Sequence, residues 1–191
     1  VPFFVVTGLD EKAFLAIDTG MKRNHRQVLH MMGYKYDAYL GYTVSHILNW
    51  ETDRSFYHNR AGISTGQIVA WVDANPKIMD SLMLVMGSKE GTRLQRGFKP
   101  GLLSALHWLF SKKNKGAGEY FINTLINGRI DLQLDDLILQ LRELIIANAM
   151  SEAKLPAESI ANYCVLAWNY WRKKTPVKKL RMIKDVANEI Y

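Results

Sequence analysis

The sequence predicts a mainly α fold, a helical domain of about nine helices preceded by one short N-terminal strand. Three observations lead there. Apolar residues recur at three- and four-residue spacing through most of the chain, and helix-capping residues stand where those runs begin. Only one run, Val1-Pro-Phe-Phe-Val-Val-Thr7, has the aromatic and β-branched composition of a strand, and Gly8 closes it. With 48% hydrophobic residues among 191, the chain can bury a core, which excludes disorder as a description of the whole. It contains no internal repeat and no low-complexity tract. The organisation expected is a strand and turn over 1–9, a helical domain over 10–171 and a basic C-terminal segment over 172–191.

Residues 10–17 place Phe14 and Ile17 on one helical face, with acids at the start where the helix dipole favours them, and stop at Asp18-Thr19-Gly20. Asn24 caps a helix over 25–32 with Val28, Leu29 and Met32 on one side, and Gly33 supplies the left-handed turn after it. Over 37–50, Leu40, Val44, Ile47 and Leu48 form the next stripe. Ser64-Thr65-Gly66-Gln67 is a capping box, in which the hydroxyl and the amide satisfy each other's free backbone N–H groups ahead of Ile68, Val69 and Val72. Asn75-Pro76 ends that helix, because the residue before proline avoids the helical region, and a further helix follows over 77–86.

Residues 87–97 are polar and glycine-rich and read as a mobile connecting loop, expected to become ordered on a polyanion. Four more helices follow over 100–110, 119–126, 135–149 and 157–173. The pair 64–74 and 76–86 reads as a helical hairpin of the core. A DNA-reading helix would present polar side chains, whereas the second member is dominated by Leu, Met and Val. Met79, Met83 and Met86 read as gap-fillers or an adaptable contact surface.

Several chemistries are excluded by pattern. Asp18-Thr19-Gly20 matches the aspartic protease tripeptide, but it occurs once, behind a helical pattern, in a chain too helical for that β-rich fold. The histidines at 25, 30, 46, 58 and 107 show no metal-ligand spacing, so no metal or cofactor is expected, and His107 beside Trp108 reads as a satisfied core or boundary histidine. Cys164 is the sole cysteine, cannot form an internal disulfide and has no neighbour to activate it. It reads as a buried thiol in a reducing compartment. No apolar stretch approaches the roughly 18 residues of a membrane span. Position 1 is Val, with no basic segment before an apolar one, so the expectation is a cytoplasmic, non-enzymatic protein whose natural start lies upstream.

The net charge is +7, and its distribution is uneven. Residues 1–87 are balanced. Lys89, Arg93, Arg96, Lys99, Lys112, Lys113 and Lys115 are opposed only by Glu90 over 88–115, residues 116–150 are acidic overall, and 172–184 carry Arg172, Lys173, Lys174, Lys178, Lys179, Arg181 and Lys184 with no acid. Two basic patches around an acidic helix predict a one-sided positive face for a polyanion. Tyr170 and Trp171 abut the second patch, so phosphate contacts there can be joined by stacking. The rival reading is physical too: lysines at a helix C-terminus are favoured by the dipole alone, and Leu166, Trp168 and Trp171 fit a core. Trp168 is expected to be buried, and the Asn169 side chain to bond a backbone group.

Gly8-Leu9-Asp10, Ile17-Asp18-Thr19-Gly20 with Lys22-Arg23, Val28-Leu29 and Gly33 resemble the region behind the nuclease-like fold of ParB-like proteins of phages, plasmids and actinobacteria. Asn75-Pro76, Ala105-Leu106-His107, Phe121 with Leu125 and Gly128, Leu141-Arg142-Glu143-Leu144, and Ala167-Trp168-Asn169 with its basic tail extend the resemblance along nearly the whole chain. Its Gly-Arg-Arg box is absent, so the resemblance implies the last strand of that fold and the helical region behind it, without nuclease or nucleotide chemistry. It implies DNA contact or oligomerisation and carries Lys22, Arg23 and the basic residues 172–181 into the candidate interface.

The sequence therefore predicts a DNA-binding accessory protein of the phage or plasmid-partition type, without enzyme activity or cofactor. Its expected partner is duplex DNA with weak sequence preference, and a homo-oligomer is a further expectation. The contacts are expected from Lys22, Arg23, Lys89, Arg93, Arg96, Lys112, Lys113, Arg172, Lys173, Lys174, Lys178, Lys179 and Arg181. The alternative is a helical interaction or oligomerisation module of viral or plasmid origin that binds an acidic protein partner.

Overall fold

The computed structural model describes residues 24–57, 62–128, 136–177, 179–181 and 189–191. The strand expected over 1–7, the helix over 10–17, Lys22, Arg23 and Lys178 lie outside them. Among the described residues the fold is all α, with nine helices: α1 His25–Met31, α2 Asp37–Asp53, α3 Thr65–Ala74, α4 Ile78–Met86, α5 Lys89–Gln95, α6 Leu102–Lys113, α7 Lys115–Asn127, α8 Asp136–Met150 and α9 Ala157–Arg172.

The capping box expected at α3 is present, and the Asn24 cap expected at α1 is part of a second one, which was not expected. Asn24 and Gln27 satisfy each other's backbone N–H groups at the start of α1, as Ser64 and Gln67 do at α3. Gly33 takes the left-handed conformation after α1, with φ +80°. Helix α6 is apolar on nearly all sides, with Leu102 through His107, Leu109 and Phe110 buried, and a helix of that pattern belongs at the centre of a fold. It is packed by α2, α4, α7 and α9.

The segment 87–97 is not a loop. It folds as α5, capped by the Ser88 hydroxyl, which accepts the Gly91 N–H at 2.9 Å, and it buries Gly91, Leu94 and Gln95. Glycine at 91 serves packing rather than mobility, since a Cβ there would collide with the Val85 carbonyl oxygen of α4. Nor do α3 and α4 form a hairpin. Helix α3 packs mainly on α1 and α2, whereas α4 packs mainly on α5 and α6, the chain turning between them at Asn75 (φ −131°, ψ 58°) and Pro76.

Helices α6 and α9 run side by side in the same direction. Leu102 and Ile160, near their starts, border one depression, while further along Phe110 stacks on Trp168 with ring centroids 4.3 Å apart. Phe121 of α7 meets both rings edge-on. Trp168 is fully buried, and Asn169 reaches two backbone groups with its side chain, donating to Glu189 O and accepting from Tyr191 N. Leu180 and Ile190 are buried as well, so these parts of the C-terminal segment are packed onto the helices.

Candidate nucleic-acid interface

The seven residues of α5 are amphipathic in a way that loop residues are not. Gly91, Leu94 and Gln95 face the core, and Lys89, Arg93 and Arg96, at i, i+4 and i+7, form an exposed row about 10 Å long beside them. That row borders a groove of about 500 Å³ whose facing wall is α8, with Arg142, Ile145, Ile146 and Ala149. Leu94 and Gly97 complete its floor, Met150 stands at its edge, and Glu90 is its one acidic lining residue.

The groove continues at both ends. A depression of about 310 Å³ carries it past Arg96 to Lys99, Asn148 and Lys154 at the start of α9, and one of about 450 Å³ continues past Lys89 to Ser88 and Met86. Arg96 borders all three. Six cations, Lys89, Arg93, Arg96, Lys99, Arg142 and Lys154, thus line one connected surface on which, among the described residues, Glu90 is the one acidic side chain. Among the described residues none of them is paired with a carboxylate, as the ion pairs involve Arg26, His30, Lys112 and Lys115.

Arg142 differs from the other five in being half buried. Its Nη2 approaches the Ile126 carbonyl at the end of α7 at 3.5 Å, while its Nε is buried without a hydrogen-bond partner. The chain makes room for the guanidinium at Gly128, which has φ +69° and where a Cβ would stand 3.1 Å from Nε and 3.3 Å from Cζ.

The remaining candidate residues lie elsewhere. Lys112 and Lys113 end α6, and Arg172, Lys173 and Lys174 end or follow α9. The parallel packing of these helices brings their cations to one end of the molecule, about 22 Å along α9 from the groove. Much of that charge is engaged internally. Lys112 binds Glu51 at 3.3 Å, Arg172 lies over the Trp168 ring at 5.6 Å, and the Lys173 ammonium sits 3.3 Å from the centroid of the Tyr191 ring. Trp171 is stacked on Tyr120, and it and Tyr170 are packed against the core.

Lys179 and Arg181 are exposed on a third surface. The Leu180 N–H between them donates to Gln140 of α8 at 3.0 Å, and Gln140 lies about 200° around that helix from Arg142. Among the described residues the cations therefore do not form one positive face. The expected division into two sequence patches was misleading because helix ends, not sequence neighbourhoods, set where each cation emerges. Lys99, Arg142 and Lys154 are not among the residues that the sequence marks for DNA contact. Arg142 sits among acids in the sequence, and only the fold, which sets α8 across the groove from α5, places it among cations.

The buried histidines are structural. His107 Nδ1 is 2.8 Å from Ser81 Oγ and its Nε2 is 3.3 Å from Ser111 Oγ, joining α6 to α4. His46 Nδ1 and Nε2 each lie 3.1 Å from a carbonyl oxygen, of Phe56 and Pro100, tying two loops to α2. Burial pushes the Cys164 thiol far up, which makes it a poor nucleophile. Among the described residues no cluster of three or more His, Cys, Asp or Glu is placed to hold a metal ion, and no helix is long and apolar enough to cross a membrane. No protein-family model matches the chain, and no curated protein or solved structure is significantly similar to it.

Proposed function

We propose that the chain binds the phosphate backbone of duplex DNA through the α5–α8 groove, without reading base sequence. The observation that carries this is the connected surface of six cations, none paired with a carboxylate among the described residues and opposed only by Glu90. Cations held in an unpaired row are the arrangement that releases counterions from a polyanion on binding. The aromatic side chains near the C-terminal cations are engaged with one another, so the contacts favoured are to phosphates rather than to stacked bases. The resemblance to ParB-like helical regions points to the same ligand, although the basic residues it singles out are not those of the groove.

The test is a titration of two unrelated duplexes at low and physiological salt, with wild type and an Arg93→Ala/Arg96→Ala variant. Similar affinity for both duplexes, steep weakening with salt and a comparable loss on both in the variant are the expected results. A variant that binds as wild type does removes the groove from the interface.

A second reading has its own observation. The groove floor is apolar at Leu94, Ile145 and Ile146, and Met150 (75% exposed) and Leu155 (42% exposed) lie along its edge. An acidic, amphipathic protein partner would use both floor and rim. Its binding would respond far less to salt than that of DNA, because apolar contacts are not screened.

A further inference from the structure

Arg142 carries a more specific inference than the row of cations around it. The other five groove cations are exposed, and their side chains can follow a ligand. Arg142 is confined on three sides: by its own helix, by Gly128, where a Cβ would stand within 3.4 Å of Nε, Cζ and Cδ, and by the Ile126 carbonyl near Nη2. Its guanidinium is thus partly withdrawn from water and has no carboxylate partner among the described residues, while the same side chain lines the groove with Arg93 and Arg96. Among the described residues this half-buried guanidinium has one polar contact, a long bond to a carbonyl, and no counter-charge. The groove is the open side from which one can come.

We infer that the α5–α8 groove contains a seat for a single phosphoryl group, with Arg142 as its fixed floor and Arg93 and Arg96 closing on it from α5. Three guanidinium groups suit this ligand because each offers a planar pair of N–H donors matched to two phosphoryl oxygens, and a positionally fixed one loses little freedom on binding. Glu90, on the same wall as Arg93, sets the charge of the seat. It disfavours a second anion nearby and leaves room for one phosphoryl group rather than a dense cluster. The Ile145 and Ile146 side chains beside Arg142 exclude water from one side of the seat, which strengthens a charged hydrogen bond made there. This inference rests on the phosphate-binding reading and adds that one position in the groove recognises geometry, not only charge.

The phosphoryl group can belong to the DNA backbone or to a 5′ end, and the experiment separates the two. The full chain, labelled with nitrogen-15, is titrated with inorganic phosphate and then with one duplex carrying either 5′-phosphates or 5′-hydroxyls, following the Arg Nε–Hε signals. The Arg142 signal should shift saturably with phosphate and with DNA, whereas that of Arg26, which pairs with Asp37 on α2, should not. Equal affinity for the two duplexes assigns the seat to a backbone phosphodiester, and preference for the phosphorylated one assigns it to a terminal phosphate.

An Arg142→Lys variant keeps the charge and loses the fork, and should bind DNA about tenfold more weakly. Its thermal melt, measured alongside, shows whether the fold is kept, and the wild-type titration stands if it is not. An Arg142 signal unmoved by both phosphate and DNA, or wild-type affinity in Arg142→Lys, overturns the seat. If DNA binds while Arg142 stays unmoved, the seat falls and the groove reading survives. If phosphate shifts Arg142 but DNA does not bind, the seat stands and the DNA reading falls.

Discussion

The indole Nε1 of Trp168 donates to the main-chain oxygen of Tyr191 at 2.6 Å, so the ring at the centre of the aromatic core also holds a segment more than twenty residues further along the chain. Asn169 beside it completes the clamp, its amide nitrogen on Glu189 O at 2.7 Å and its oxygen receiving Tyr191 N–H at 3.1 Å. Ile190, between these two anchored residues, is thereby pressed into the core.

Asn169→Ala should cost about 1–2 kcal/mol, because it removes two hydrogen bonds to partly buried backbone groups. Trp168→Ala should cost about 3–5 kcal/mol, the range for emptying a buried aromatic site. Urea denaturation measures both, and amide exchange at Tyr191 should quicken in Asn169→Ala. A variant at 169 as stable as wild type, with unchanged exchange, would mean that the clamp does not hold in solution.

Helix α5 makes a different prediction. Ser88→Ala removes its cap and should cost about 1 kcal/mol. Gly91→Ala should also destabilise, although alanine is the better helix former by about 1 kcal/mol, because the new methyl meets the Val85 carbonyl. Trypsin should cut slowly after Arg93 and Arg96 in the DNA-free protein. A Gly91→Ala variant with a raised melting temperature, or rapid cleavage at those arginines, would restore the picture of a loose connector.

Protonation supplies a third test. Burial holds the pKa values of His25, His46 and His107 below the ordinary histidine value, against backbone hydrogen bonds at His46 and the charges of Glu119 and Asp80 near His107. The unfolded chain takes up these protons near pH 6.5 and the folded chain only at lower pH. Stability from this source is therefore present above about pH 6.5 and lost as the pH falls from there toward the folded values. The melting temperature should drop between pH 7.5 and 5.5. At His46 both ring nitrogens face carbonyl oxygens, and a neutral ring has one N–H to give. A melting temperature that rises over the same interval would mean that His46 is held as an imidazolium bridging Phe56 and Pro100.

Local features were legible in the sequence, and features built from distant segments were not. Asn24 as a cap, and Ser64 with Gln67 as a capping box, announce their helices because a cap is a contract between residues three apart, and Gln27 adds the reciprocal half at α1. Trp168 and Asn169 could be placed because an aromatic flanked by apolar residues at helical spacing has few other destinations. Helix α5 was misread because Ser88 caps it without a reciprocal Gln or Glu, and because Gly91 and Gly97 look like breakers. In the fold, Gly91 admits the Val85 carbonyl, and a Cβ at Gly97 would stand 2.6 Å from the Ile145 side chain. The groove was invisible for the same reason: its two walls are separated by some fifty residues of chain, and Arg142 lies in a segment whose net charge is negative.

The last prediction sets the two groups of cations against each other. Lys89→Ala/Arg93→Ala/Arg96→Ala removes three exposed charges that make no ion pair among the described residues, so DNA affinity should fall while the melting temperature stays close to wild type. If each of the three meets a phosphate, the slope of log affinity against log salt should flatten by roughly three units, at about 0.9 per contact. Arg172→Ala/Lys173→Ala should behave oppositely. The Arg172 guanidinium covers Trp168 and the Lys173 ammonium covers Tyr191, so each substitution exposes a ring and should cost about 0.5–1 kcal/mol. The helix C-terminus loses favourable charge as well. That variant should lose stability and retain most of the salt slope. If instead it melts like wild type and flattens the slope, while the α5 variant binds normally, the end of α9 carries the DNA and the groove serves another ligand.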